Sequence, residues 1–185
     1  SDKIEVQQKE DFTKSLKIIA KQINQIENLV NEFSDFARMP KPIFKDNNLV
    51  SLLRDNIKLI KELDDSILIN FDANNDSVVL NCDNEQLSRV FFNLIKNSIE
   101  SIQEKKSNNP NHKGKVIITL NNKVSFIDFT IVDNGLGFGV LNKNIKNILN
   151  PYFTTKKKGT GLGLAIVNKT INDHNGTIDF IQIED

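Results

Sequence analysis

The sequence predicts an α+β protein: one long helix, then an α/β sandwich with helices on one face of a mixed, mostly antiparallel sheet. Two observations carry that prediction. An unbroken apolar heptad fills residues 11–37 and stops at the proline pair of "RMPKP". Beyond it, segments with helical spacing are interleaved with short apolar or alternating runs, each bounded by Asn, Asp or Gly, as layers around one core require.

The heptad comes first. Phe12, Leu16, Ile19, Ile23, Ile26, Val30, Phe33 and Ala37 step by 4 and 3 in strict alternation. That spacing lays one apolar seam along a helix of about seven turns. Ile18, Leu29 and Phe36 widen the seam toward a bundle face. Such a stripe needs partner helices, from another part of the chain or from a second copy, unless the helix packs on its own domain. Pro40 and Pro42 remove two backbone donors and push Met39 and Lys41 out of the α region. They end the helix and mark a hinge. Residues 1–42 therefore form one region and 43–185 a second.

In the second region, residues 47–63 have the spacing of a helix with an Asn cap. "SILINFD" (66–72) and "SVVLNC" (77–82) read as strands. Asp83 with Gln86 makes a capping box for a helix running to about Glu104. A loop at 106–114 leads to an antiparallel hairpin, "KVIITLNN" and "KVSFIDFTIV", turning near Asn121–Lys123. Residues 138–160 are weakly patterned, 161–173 read as a helix, and "GTIDFIQI" (176–183) reads as a closing strand.

Composition excludes several classes. Hydrophobic residues make up 38% of 185, enough for a core, and no run approaches the roughly 18 apolar residues of a spanning helix. The polar start "SDKIEVQQKE" is unlike a signal peptide. Lys plus Arg equals Asp plus Glu at 24 each, so charge gives no reason to expect nucleic acid. The lone Cys82 supports no disulfide framework and reads as a small buried hydrophobe.

Four stretches could carry chemistry. In "NLIKNSIES" (93–101), Asn93 and Asn97 share a helix face beside Leu94, Ile95 and Ile99. Asn is a poor helix former, and its amide oxygen is a hard ligand suited to Mg²⁺. The other reading is two amides satisfied by nearby backbone. In "DNGLGFG" (133–139), Asp133 ends a strand expected to be largely buried, and a buried carboxylate needs donors. The exocyclic amino group of adenine is such a donor, where guanine offers an acceptor, and Gly135 and Gly137 would let backbone approach a flat ring. An ordinary Asp-Asn-Gly turn is the competing reading. In "GTGLGLAIV" (159–167), glycines open a helix whose free amides could bind phosphate. The spacing completes neither a P-loop nor a dinucleotide fingerprint. In "NPYFTTKKKG" (150–159), Tyr152 and Phe153 could anchor a mobile segment that offers Thr154, Thr155 and Lys156–Lys158 beside those amides, or the lysines could be a solvated face.

In this order the four stretches resemble the N box, first glycine box, F box and second glycine box of the ATP-binding domain of sensor histidine kinases, in the GHKL ATPase superfamily. The resemblance covers about residues 49–183. "IENLVNEFSDFARMPKP" (26–42) is similar to the second dimerisation helix of NtrY-like nitrogen-regulation sensor kinases. The resemblance implies a GHKL-type sandwich that binds ATP and Mg²⁺. It implies Asn97 and Asn93 at the metal and phosphates, Lys96 near the phosphate chain, and Asp133 on the adenine amino group in a pocket shaped by Gly135 and Gly137. Phe153 would anchor a lid with Thr154, Thr155 and Lys156. Gly159, Thr160, Gly161, Leu162 and Gly163 would free that lid and present amides to the triphosphate.

Water-splitting relatives in the superfamily carry a Glu general base where Asn93 stands, and an amide cannot take that proton. The resemblance therefore implies γ-phosphoryl transfer to a histidine rather than hydrolysis. His112 and His174 have neither the context nor the order of a phosphoacceptor motif, so the acceptor helix is expected upstream of Ser1. Family members usually close with a glycine-led strand ending in Leu-Pro, so a chain ending at Asp185 is expected to lack an edge strand. The implied partners are ATP, the chain's own upstream phosphoacceptor helix, a response regulator and a second copy in a homodimer, with no nucleic acid or membrane contact by this stretch. The implied setting is a cytoplasmic domain of a protein anchored in the inner membrane. Two other readings remain open at this level: an ATP-hydrolysing GHKL ATPase and a non-catalytic dimerisation module.

Overall fold

The computed structural model describes residues 2–63, 65–138, 145–156 and 159–183. The chain divides into two compact units, Ser1–Pro40 and Lys41–Asp185. The first is a single helix, α1 (Asp2–Ala37). It extends the heptad backward through Glu, Lys and Gln, residues that cost a helix little. Phe12, Leu16, Ile19, Ile23, Ile26, Val30 and Phe33 all stand exposed along it. Among the described residues no helix is long and apolar enough to cross a membrane.

The second unit runs β1 (Lys45–Asn48), α2 (Leu49–Leu63), β2 (Leu68–Ala73), β3 (Val79–Cys82), α3 (Asn84–Asn108), β4 (Lys115–Asn122), β5 (Ile127–Asp133), a 3-10 turn (Ile145–Leu149) and α4 (Gly163–Asp173). Two sheets form: β1 with β3, antiparallel, and β2-β4-β5. In the larger sheet β2 runs parallel to β4, pairing Ile69 with Val116 and Phe71 with Ile118. β4 and β5 are antiparallel, pairing Val116 with Asp133. Ile69, Val116, Ile118 and Leu120 point to one face and are buried there with Leu53, Ile57 and Ile60 of α2, Leu94, Ile95 and Ile102 of α3 and Val167 of α4. α3 packs on β4, β5, α2 and α4, which makes it the frame of the site.

Local chemistry explains the boundaries. The Asn48 carboxamide oxygen accepts from Val50 N at 3.0 Å and caps α2, as expected. Asp83 caps α3 by accepting from Gln86 N at 3.0 Å. Only half of the expected capping box is realised there, because Asp83 N donates to His174 Nε2 at 3.0 Å.

Three expectations need correction. The helix expected over 47–63 begins at Leu49, because Asn47 and Asn48 end β1; "KDNN" has no apolar alternation and becomes a strand only by pairing with β3. The hairpin turns at 123–126, a little later than expected. Residues 176–183 form no strand: Ile178 packs on the core, and the Gln182 side-chain oxygen accepts from Phe138 N at 2.8 Å. This segment is held by side chains, so the outer edge of β5 carries no ladder partner among the described residues.

Candidate functional site

Asn93 and Asn97 lie half-buried on the α3 face turned toward α4. The first residue of α4 is Gly163, and a Cβ there would sit 3.8 Å from the Asn93 side-chain oxygen. The first and last of the four stretches therefore meet face to face. Among the described residues no side chain caps the start of α4, which leaves its first-turn amides to other acceptors. The helix starts two residues later than expected, with Gly159, Thr160, Gly161 and Leu162 outside it. The Thr160 hydroxyl accepts from Leu162 N at 3.4 Å, and Leu162 is fully buried.

The F and second glycine stretches are joined backbone to backbone. Tyr152 N donates to Gly161 O at 3.0 Å, and Tyr152 itself is held at a positive φ of 67°. Gly161 has φ +71°, and a Cβ there would come within 2.8 Å of Phe153 N, so this position requires glycine. Phe153 is half-buried, while Thr154 and Thr155 are exposed. The Thr154 hydroxyl accepts from Lys156 N at 3.1 Å, and Gly159 N donates to Lys156 O at 3.1 Å. Lys156 reaches back to α3, where its ammonium donates to the Asn97 side-chain oxygen at 3.1 Å and pairs with Glu100. Lys157 and Lys158 lie outside the described residues.

At the end of β5, Asp133 is half-buried rather than largely buried; among the described residues β5 has no paired strand on its outer side. Its Oδ1 accepts from Gly135 N at 2.9 Å. Gly135 lies so near α3 that a Cβ would come within 2.7 Å of Ser101 Cβ. The Ser101 hydroxyl accepts from Leu136 N at 3.0 Å, and Lys105 donates to Asn134 O at 3.0 Å. Asn134 bonds both sides of the strand start, accepting from Lys115 N at 2.8 Å and donating to Lys113 O at 2.9 Å. Gly137, exposed with φ +66°, completes the turn against Gln182. Lys96 is exposed on α3, 3.9 Å from Glu100.

The sequence reading missed Ser101, Lys105, Asn134 and Glu100. Ser101 continues the four-residue step of Asn93 and Asn97, and that periodicity was the available signal. Metal fit can be judged from the donors. Among the described residues no three His, Cys, Asp or Glu gather as a metal cluster. Asn97 does present its oxygen to a cation, the Lys156 ammonium. A hard cation completing its shell from water and phosphate fits that donor set.

Neither histidine is placed as a nucleophile. His174 Nδ1 lies 2.8 Å from Thr170 O and must donate there, since Nε2 accepts from Asp83 N. His112 Nε2 is buried in the loop 109–114, α3 running four residues past the expected end, and has no hydrogen-bond partner among the described residues.

The profile of the histidine kinase-, DNA gyrase B-, and HSP90-like ATPases matches residues 82–184. A protein of Rickettsia felis described as an NtrY-like sensor histidine kinase is 38% identical over 181 residues, which is 98% of this chain and 29% of that protein. The nitrogen regulation protein NtrY of Azorhizobium caulinodans is 31% identical over 173 residues, 94% of this chain and 22% of that protein. The chain thus spans less than a third of the length of these relatives. The solved catalytic domain of histidine kinase ThkA superposes with a TM-score of 0.61 at 28% identity, covering 71% of this chain and 82% of that one.

Proposed function

Because this chain belongs to the histidine kinase-, DNA gyrase B-, and HSP90-like ATPase family, we propose that it is the ATP-binding catalytic part of a two-component sensor histidine kinase of the NtrY-like kind. It binds Mg-ATP and passes the γ-phosphoryl group to a histidine upstream in its full-length protein, for relay to a response-regulator aspartate. The observation that carries this reading is the meeting of the Asn93–Asn97 face of α3 with the uncapped start of α4, flanked by the Asp133 turn and the Tyr152–Gly161 junction.

Asp133 offers a carboxylate oxygen to the adenine amino group, and Gly135 brings backbone near the ring. The amides of Gly161 and Gly163 would face the phosphate chain. Asn97 and Asn93 would hold Mg²⁺, which when bound would supply charge compensation for the phosphates. Asn93 is an amide and cannot activate water, so the protein's contribution is positioning and charge compensation, and the nucleophile comes from elsewhere. The geometry of both histidines supports an acceptor outside this chain. The exposed apolar seam of α1 supports its role as one helix of a dimerisation bundle, shared with the acceptor helix and a second copy. The cytoplasmic face of the membrane is the corresponding site of action.

Incubation with γ-labelled ATP tests the reading. This chain should bind Mg-ATP and retain no acid-labile label. The full-length protein should become labelled, and Asn97→Ala should abolish that labelling. A stable acid-labile phosphate on this chain would overturn the upstream acceptor, and brisk phosphate release without transfer would favour hydrolysis.

A further inference from the structure

Glu100 lies in the first of the four stretches without an assigned role there, yet it organises the contact between the Lys156 segment and α3. It sits three residues after Asn97 and four after Lys96, on one helix face. One of its oxygens pairs with the Lys156 ammonium, and the other lies 3.9 Å from Lys96. The same Lys156 ammonium reaches the Asn97 oxygen at 3.1 Å. One cation from the lid is thus shared between an amide oxygen and a carboxylate.

We propose that Glu100 is a positioning residue of the nucleotide site: it holds the Lys156 ammonium on Asn97, so that a lid lysine occupies the cation position until the metal-nucleotide arrives. The inference rests on the Mg-ATP reading above. An ammonium and a divalent cation cannot both lie against the Asn97 oxygen, because two positive charges at such spacing repel. Magnesium entry therefore releases Lys156, which becomes available to phosphate oxygens. Glu100 is not stranded by the exchange, because Lys96 remains beside it. The lid's position is in this way tied to the metal rather than to the base.

The pair is about a third exposed on each side, 35% for Lys156 and 37% for Glu100, so its contribution to stability is small and its effect is on competition. The test is a magnesium titration of this chain at saturating ADP, followed by calorimetry. In Glu100→Gln the half-saturating magnesium concentration should fall by roughly two- to fivefold, the range an exposed ion pair supports. Lys156→Met, which removes the competing cation, should lower it similarly, and adding Glu100→Gln to Lys156→Met should change nothing further. A half-saturation unchanged or raised in Glu100→Gln, with nucleotide binding intact, would overturn the inference; a rise would make Glu100 a metal ligand instead. If the unaltered chain shows no magnesium-dependent nucleotide binding, the Mg-ATP reading itself fails and the inference falls with it.

Discussion

The two arms of the site are built differently. The Asp133 turn is fastened from four directions: to itself through Gly135, to α3 through Ser101 and Lys105, to the start of β4 through Asn134, and to Gln182 through Phe138. The lid arm is tied to α3 by the side chain of Lys156, and its own geometry depends on positive φ values at Tyr152 and Gly161. Every partner of the first arm is part of the scaffold. The lid's partner on α3 is a group that the ligand itself would claim. The contrast suits the function proposed above, which would need a preformed surface for the base and an adjustable one for the phosphates.

The largest expected effect is on the preformed arm. Asp133→Asn keeps a side-chain oxygen for Gly135 N and so keeps the turn, but removes the charge from the proposed adenine contact. Hydrogen bonds to charged groups contribute about 1.5–3 kcal/mol, so calorimetry should show ATP, ADP and adenosine all weakened about tenfold or more. A loss confined to ATP, or none, would break the comparison and remove the base-recognition role of Asp133.

Gly161→Ala should act on the other arm and less strongly. The substitution forces a side chain into the left-handed region at a cost of about 1–2 kcal/mol and against the backbone of Phe153. Affinity for ATP should fall several-fold, roughly in line with that cost, while adenosine binding stays near its original value. Equal losses for both ligands would mean that the arms are not separable.

The difference between the arms also marks what the sequence could reveal. Asn93, Asn97 and the two glycine stretches stood out because Asn costs a helix interior and glycine marks a turn or a close backbone approach. The caps of α2 and α3 were legible because Asn48 and Asp83 act on residues two and three positions away. What stayed hidden depends on residues distant in the chain. β1 exists only through β3. The segment 176–183 alternates like a strand, yet its bonds run through Gln182 and Phe180 to Phe138 rather than through a ladder. Lys156 and Glu100 are 56 residues apart, and no local pattern signals that they meet.

The smallest effect should come from the scaffold beneath both arms. Asp83 joins the start of α3 to the end of α4 and to the segment after Pro42. Its Oδ1 caps Gln86 N, its Oδ2 accepts from Ile43 N at 2.8 Å, and its own N–H donates to His174, whose ring stacks edge-on with Phe44. Burial by itself would raise the Asp83 carboxyl. The amide donors of Ile43, Gln86 and Glu85, with His174 nearby, outweigh that and hold it below its ordinary value. A carboxyl depressed in the folded state contributes stability that is fully present above its unfolded value, about 3.9, and is lost as pH falls through the folded value. Asp83→Ala should therefore lower unfolding stability at neutral pH by about 1 kcal/mol, the usual value of an N-cap, and change ATP and adenosine affinities equally. The gap between the two proteins should close in acid. Asp83→Asn, which keeps a capping oxygen without a titrating group, should retain most of the neutral-pH stability and lose the acid dependence. Denaturant midpoints measured from neutral pH down to about 3 would check this. A gap that stays constant across that range would show that the charge of Asp83 contributes nothing and that its cap alone joins the two helices.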